Sequence, residues 1–84
     1  MASFYPDLYQ AALALLVEAR EKAGLSQADL AQRFDLGEGI VTSYEDGVRL
    51  LDPAEYVAVC RAIGVNPYEL LAEAERASGG PRRD

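Results

Sequence analysis

Between Leu25 and Asp52 the chain holds two short apolar-patterned segments, each with its own start and stop signals. Ser26 followed by Asp29 sets a hydroxyl cap three residues ahead of an acid, a variant of the capping box that opens a helix. That helix runs to about Phe34, with Leu30, Ala31 and Phe34 facing inward. Asp35 and Leu36 make the turn, Gly37 to Asp46 form the next helix with Val41 and Tyr44 on its apolar face, and Gly47 ends it. Helices this short are marginal in water and need tertiary packing to persist. The pair must therefore cross inside a larger helical unit, and that requirement governs what the rest of the chain can be.

The flanking sequence supplies that unit. Pro6 and Asp7 suit a first helical turn, because proline lacks the N–H that would be orphaned there and an acid complements the helix dipole. The helix is expected to run through Ala23 and stop at Gly24, with Leu8, Ala12, Leu15, Leu16, Ala19 and Ala23 at steps of three and four. Glu18 and Lys22 form an i,i+4 pair on the other face, a feature that contributes a few tenths of a kcal/mol (~0.3). Asp52-Pro53-Ala54-Glu55 combines an acid cap, a first-turn proline and a returning glutamate, so it marks a fourth helix whose apolar side is Tyr56, Val59, Cys60, Ala62 and Ile63. Gly64 closes it. Asn66-Pro67-Tyr68-Glu69 repeats the device for a fifth helix carrying Leu70 and Leu71 and fading near Ala77.

No stretch alternates apolar and polar residues long enough to read as a strand. The expected fold is all-α: a compact five-helix bundle over residues 7–77, preceded by an apolar and aromatic segment at 1–6 and followed by a flexible tail at 78–84. At 84 residues there is room for one modest core. Phe4, Tyr5 and Tyr9 are read as packing over the first and fifth helices, with a dimer or partner surface as the alternative.

Composition removes several classes of function. There is no His, and the single Cys60 lies on an apolar helical face without a base beside it, so nucleophilic catalysis has no apparatus. The carboxylates stand at capping and surface positions and gather in no pocket. One Cys and no His give no metal cluster and no internal disulfide, and the thiol fits a reducing cytoplasm. No cofactor, small-molecule substrate or enzyme activity is expected. The longest apolar run, Ala11 to Val17, is far short of the ~20 residues that span a bilayer, and no basic residue precedes it as in a secretory signal.

Arg20, Ala23-Gly24-Leu25-Ser26-Gln27, Leu30-Ala31, Val41, Tyr44-Glu45, Gly47, Arg49, Leu51-Asp52 and Cys60-Arg61-Ala62-Ile63-Gly64-Val65 together resemble the lambda-repressor-like, Cro-type (XRE) helix-turn-helix family, over roughly residues 16 to 71. The resemblance implies a second helix that crosses the DNA backbone and a third that enters the major groove, commonly as a dimer on two half-sites. It places Gln27 at the position that contacts phosphate and steadies the recognition helix. Glu38, Gly39 and Ser43 fall where side chains reach base edges, and Gly37, Thr42 and Arg49 where backbone contacts are made.

The third helix departs from that pattern. Where the family commonly has Ser or Thr, then Gln, then a polar residue, this chain has Gly37-Glu38-Gly39. A glutamate can only accept, chiefly from cytosine. At ~6 Å in a water-like dielectric its charge costs roughly 0.7 kcal/mol per phosphate. Gly39 offers no reading side chain, and Ile40 makes the tip more apolar. Net charge is −6, and up to Ser78 there are 13 acidic against 6 basic residues. Arg20, Lys22, Arg33, Arg49 and the tail residues Arg82 and Arg83 are the candidates for phosphate, with an ion pair or solvated charge as the ordinary alternative.

Two functions follow as expectations. One is a small transcriptional regulator that binds duplex DNA through the third helix, as a dimer. The other is a helix-turn-helix that binds a basic regulatory protein and reads no DNA, as an anti-activator or co-repressor. Gln27, Gly37, Glu38, Gly39, Ile40, Thr42, Ser43 and Arg49 would form the DNA- or partner-binding face in either case.

Overall fold

A computed structural model describes residues 6–33 and 37–79. It contains five helices: α1 Pro6–Lys22, α2 Gln27–Gln32, α3 Glu38–Glu45, α4 Pro53–Ile63 and α5 Pro67–Ala77. No strand occurs among the described residues. The all-α five-helix architecture expected from the sequence is the one observed.

The capping signals explain the boundaries. Ser26 Oγ accepts the Asp29 N–H at 2.9 Å and Asp29 Oδ2 accepts the Ser26 N–H at 3.0 Å, a reciprocal box that starts α2. Asp52 and Glu55 make the same exchange at the start of α4, at 2.7 and 3.0 Å. Asn66 Oδ1 accepts from both Tyr68 and Glu69 to open α5. Each such cap contributes on the order of 1 kcal/mol. At the far end of α4, Gly64 takes a left-handed φ of 99° and lets its own N–H and that of Val65 both donate to the Cys60 carbonyl.

Two elements end earlier than their sequence signals. α1 closes at Lys22, one residue before the expected Ala23, and Ala23 is exposed, because the turn into Gly24 carries it off the apolar stripe. α2 ends at Gln32 with Arg33 as its cap. Phe34, Asp35 and Leu36, expected to complete the helix and turn, lie outside the described residues, as do Phe4 and Tyr5 and the tail residues Arg82 and Arg83.

α1 packs chiefly along α5 and α2 chiefly on α3, while α4 touches α1, α2 and α5 and joins the two pairs. Leu16, Leu30, Val41, Tyr44, Val59 and Cys60 are fully buried, drawn from α1, α2, α3 and α4. Leu70 and Ala74 add α5. Each aliphatic side chain buried in this way contributes roughly 1.5–3 kcal/mol against exposure. Leu13 belongs to this core although it lay off the stripe expected on α1, and Leu71, expected beside Leu70 as an apolar residue of α5, remains 38% exposed. Two tyrosines secure the joints: the Tyr9 hydroxyl accepts the Leu51 N–H at 3.2 Å, and the Tyr56 hydroxyl donates to the Pro67 carbonyl at 2.6 Å.

Candidate nucleic-acid interface

α3 begins at Gly37, which holds the extended backbone of an N-cap but has no side chain to bond the first turn. Its other end is closed by backbone alone. Gly47 adopts φ 80°, and this turn brings the Val48 and Arg49 N–H groups to the Ser43 carbonyl at 2.9 and 3.2 Å. Gly37 and Gly39 are exposed, while Ile40, Thr42 and Ser43 are half-buried. Glu38 lies in the first turn of α3; its side chain is outside the described set.

The middle and far end of α3 are fixed by a polar network that ties together three helices. Arg20 from α1 donates through Nε to Glu45 Oε2 at 2.7 Å and through Nη2 to Oε1 at 3.1 Å. Its Nη1 reaches the Leu25 carbonyl at 2.8 Å, just ahead of α2. Gln27, the first residue of α2, donates Nε2 to Glu45 Oε1 at 2.8 Å. The Thr42 hydroxyl donates to Gln27 Oε1 at 3.0 Å. A carboxylate can only accept, so the amide nitrogen must face Glu45, which leaves the amide oxygen for Thr42. Only one amide orientation satisfies both partners. The Arg20 and Glu45 side chains retain 11% and 6% exposure, so the pair is nearly withdrawn from water. The Glu45 carboxylate raises the Arg20 guanidinium further above its ordinary range.

The second cation of the region is also engaged. Arg49 grips Glu55 with both terminal nitrogens, Nη1 to Oε1 at 3.0 Å and Nη2 to Oε2. Arg49 first, and the Asp52 N–H second, hold the Glu55 carboxyl below the usual carboxylate range. Lys22 lies 3.6 Å from Glu18, the i,i+4 pair expected from the sequence. Arg33 donates Nη1 to the Ala62 carbonyl at 3.1 Å, bracing the end of α2 against α4. The ordinary alternative for Arg20, Lys22 and Arg49, an ion pair, is thus the one the structure displays.

The structure brings Gln27 and Thr42 into direct contact and leaves Gly37 and Gly39 at an open tip. It sets Arg49 apart, in the loop beyond α3. Glu45, which enters the sequence reading only as part of the family pattern, is the centre of the network. Glu55 was read only as a cap and is also the partner of Arg49. Arg20 and Glu45 are 25 residues apart, and Arg49 and Glu55, six apart, are joined across the turn between the loop and α4, so helical spacing signals neither pairing.

Comparison with known proteins agrees with this geometry. A family model described as a helix-turn-helix domain matches residues 12–74, from the second turn of α1 into the last turns of α5. Among solved structures, the chain is similar to an XRE-family like protein from Pseudomonas syringae pv. tomato str. DC3000, at 43% identity over 83% of this chain and 85% of that one, with a TM-score of 0.80. No curated protein matches the chain.

Proposed function

Because the chain belongs to the XRE-type helix-turn-helix family, we propose that it is a DNA-binding transcription regulator that offers α3 to the major groove. The observation that carries this reading is the Arg20–Gln27–Thr42–Glu45 network. It fixes α3 to α2 and α1 through side chains of its second half and leaves the Gly37–Gly39 end uncovered. A helix with its side chains is ~10–12 Å across and the major groove ~12 Å wide, so an uncovered, rigidly held helix end is the shape that docking needs. Gly37, Glu38, Gly39, Ile40 and Ser43 would meet bases or the groove wall. Gln27, Thr42 and Arg49 would lie toward phosphates. Reading a two-fold operator would require two copies, with α3 segments one helical turn of DNA apart.

One observation favours a second reading. α3 carries no Lys or Arg, and Arg20 and Arg49 are each neutralised by an acid of the same chain. A face so short of free positive charge also suits a basic regulatory protein, whose encounter complementary charge would speed.

A salt series separates the two. The duplex flanking the protein's own gene is expected to bind specifically, with affinity falling as log[salt] rises at about −0.9 per phosphate contacted. Absence of any duplex binding at low salt, together with stoichiometric binding to a basic regulator, would replace the first reading by the second.

A further inference from the structure

Arg49 stands between α3 and α4 and is held at both ends. Its backbone N–H donates to the Ser43 carbonyl in the last turn of α3 at 3.2 Å. Its guanidinium points to α4 and holds the two oxygens of Glu55. Glu55 does not depend on Arg49 for its place. Its Oε1 accepts the Asp52 N–H at 3.0 Å and its own N–H donates to Asp52 Oδ1 at 2.7 Å, the capping box of α4. The carboxylate is thus anchored by backbone whether or not the arginine stays. The two side chains keep 39% and 19% of their exposure, so an incoming anion can reach the pair.

Two parallel N–H groups on two oxygens is also the way an arginine holds a phosphate. We propose that Glu55 is a built-in competitor for phosphate at Arg49. It occupies the guanidinium in the free protein and yields it to a DNA backbone phosphate on docking. The inference rests on the DNA-binding reading and deepens it, because it makes Glu55, a residue outside the proposed DNA-binding face, the setting of both affinity and salt response. With its charge already cancelled, Arg49 adds little to counterion release until Glu55 lets go.

Glu55→Gln tests this cleanly, since the amide oxygen can still accept the Asp52 N–H while the charge is gone. The duplex flanking the protein's own gene should bind Glu55→Gln roughly three- to tenfold more tightly at low salt, with a log–log salt slope steeper by about 0.9 per protomer. The double variant Arg49→Gln/Glu55→Gln should lose that gain. A second arm needs no DNA: inorganic phosphate is titrated into wild type and Glu55→Gln while the Arg49 Nε–H resonance is followed by NMR. Phosphate should bind Glu55→Gln at least threefold more tightly. Equal phosphate binding by the two proteins overturns the proposal whatever the duplex does. If phosphate shows the gain but neither protein binds any duplex at low salt, the exchange at Arg49 stands and the DNA-binding reading falls.

Discussion

Arg20 and Glu45, 25 residues apart in sequence, meet with Nε donating to Oε2 at 2.7 Å and almost no solvent around either side chain. Removing one member strands the other. Glu45→Ala should cost about 2–4 kcal/mol, somewhat under the loss for a deeply buried pair because solvent reaches its rim. At roughly 4–8 °C per kcal/mol for a domain of this size, the melting temperature followed by circular dichroism should drop by roughly 10–25 °C. The double replacement Arg20→Met/Glu45→Leu should lose distinctly less, since it leaves no orphaned charge. A double variant as unstable as Glu45→Ala would mean the pair contributes attraction beyond its own desolvation.

Gln27 has one satisfied amide orientation, so its two natural replacements should differ. Gln27→Ala removes one donor from Glu45 and one acceptor from Thr42, and should cost about 1–2 kcal/mol. Gln27→Glu sets a second carboxylate against Glu45 and should be worse at neutral pH. Its deficit should shrink as pH falls through about 5, because two adjacent carboxylates share a proton more readily than either alone. Thermal melts at both pH values read this; a deficit independent of pH would place the new carboxylate away from Glu45.

Acid should weaken the domain in part through two anchored carboxyls, each a modest contribution because both groups are reached by solvent. Arg49 and the Asp52 N–H depress Glu55, and the Ser26 N–H and then its hydroxyl depress Asp29. Since both folded values lie below the unfolded ones, their stabilisation is complete above the ordinary carboxylate range of about 4 and is lost as pH falls through the folded values. Melting temperature should hold from neutrality to about pH 5 and decline below. Glu55→Gln should flatten that decline while leaving the Asp29 contribution in place.

Cys60 has no exposure, and burial pushes its thiol above the usual range. Thiol-specific reagents at neutral pH should modify it only through opening of the domain. Labelling should therefore accelerate in step with urea unfolding; rapid stoichiometric labelling of the native protein would contradict a closed α4 face.

Gly39 lies inside α3 without a positive φ, and a Cβ built there meets nothing within 4 Å. Gly39→Ala should stabilise the domain by about 0.5–1 kcal/mol through helix propensity. Calorimetry against wild type measures the gain, and a loss would show that the backbone at this position is not at ease as a helix.

Most of the scaffold could be read in the sequence because it is specified locally. Ser26 with Asp29, Asp52-Pro53 with Glu55, and Asn66-Pro67 each name a helix start within four residues, and the turn chemistry agrees. Leu30, Val41, Tyr44, Val59 and Cys60 follow from helical spacing. What escaped was long-range partnership. Arg20 and Arg49 read as candidates for phosphate, and only the folded arrangement that brings Arg20 to Glu45 and Arg49 to Glu55 shows that acids of the same chain hold them. Leu13 was missed for a related reason: apolar residues on α1 spread wider than its contact surface do not say which edge α5 will cover.

α3 is secured through Thr42, Ser43 and Glu45, all in its second half, while a Cβ at Gly37 or Gly39 would enter open space. Heritable change at the two ends therefore has unequal consequences. A substitution near Glu45 is tried first against the survival of the fold, whereas one at Gly37 or Gly39 leaves the packing around Glu45 untouched and, on the proposed DNA-binding reading, is tried against the choice of target. On that reading a lineage carrying this scaffold would redirect it by altering a few codons at the tip, and descendants with quite different targets should keep the same three-helix knot around Glu45.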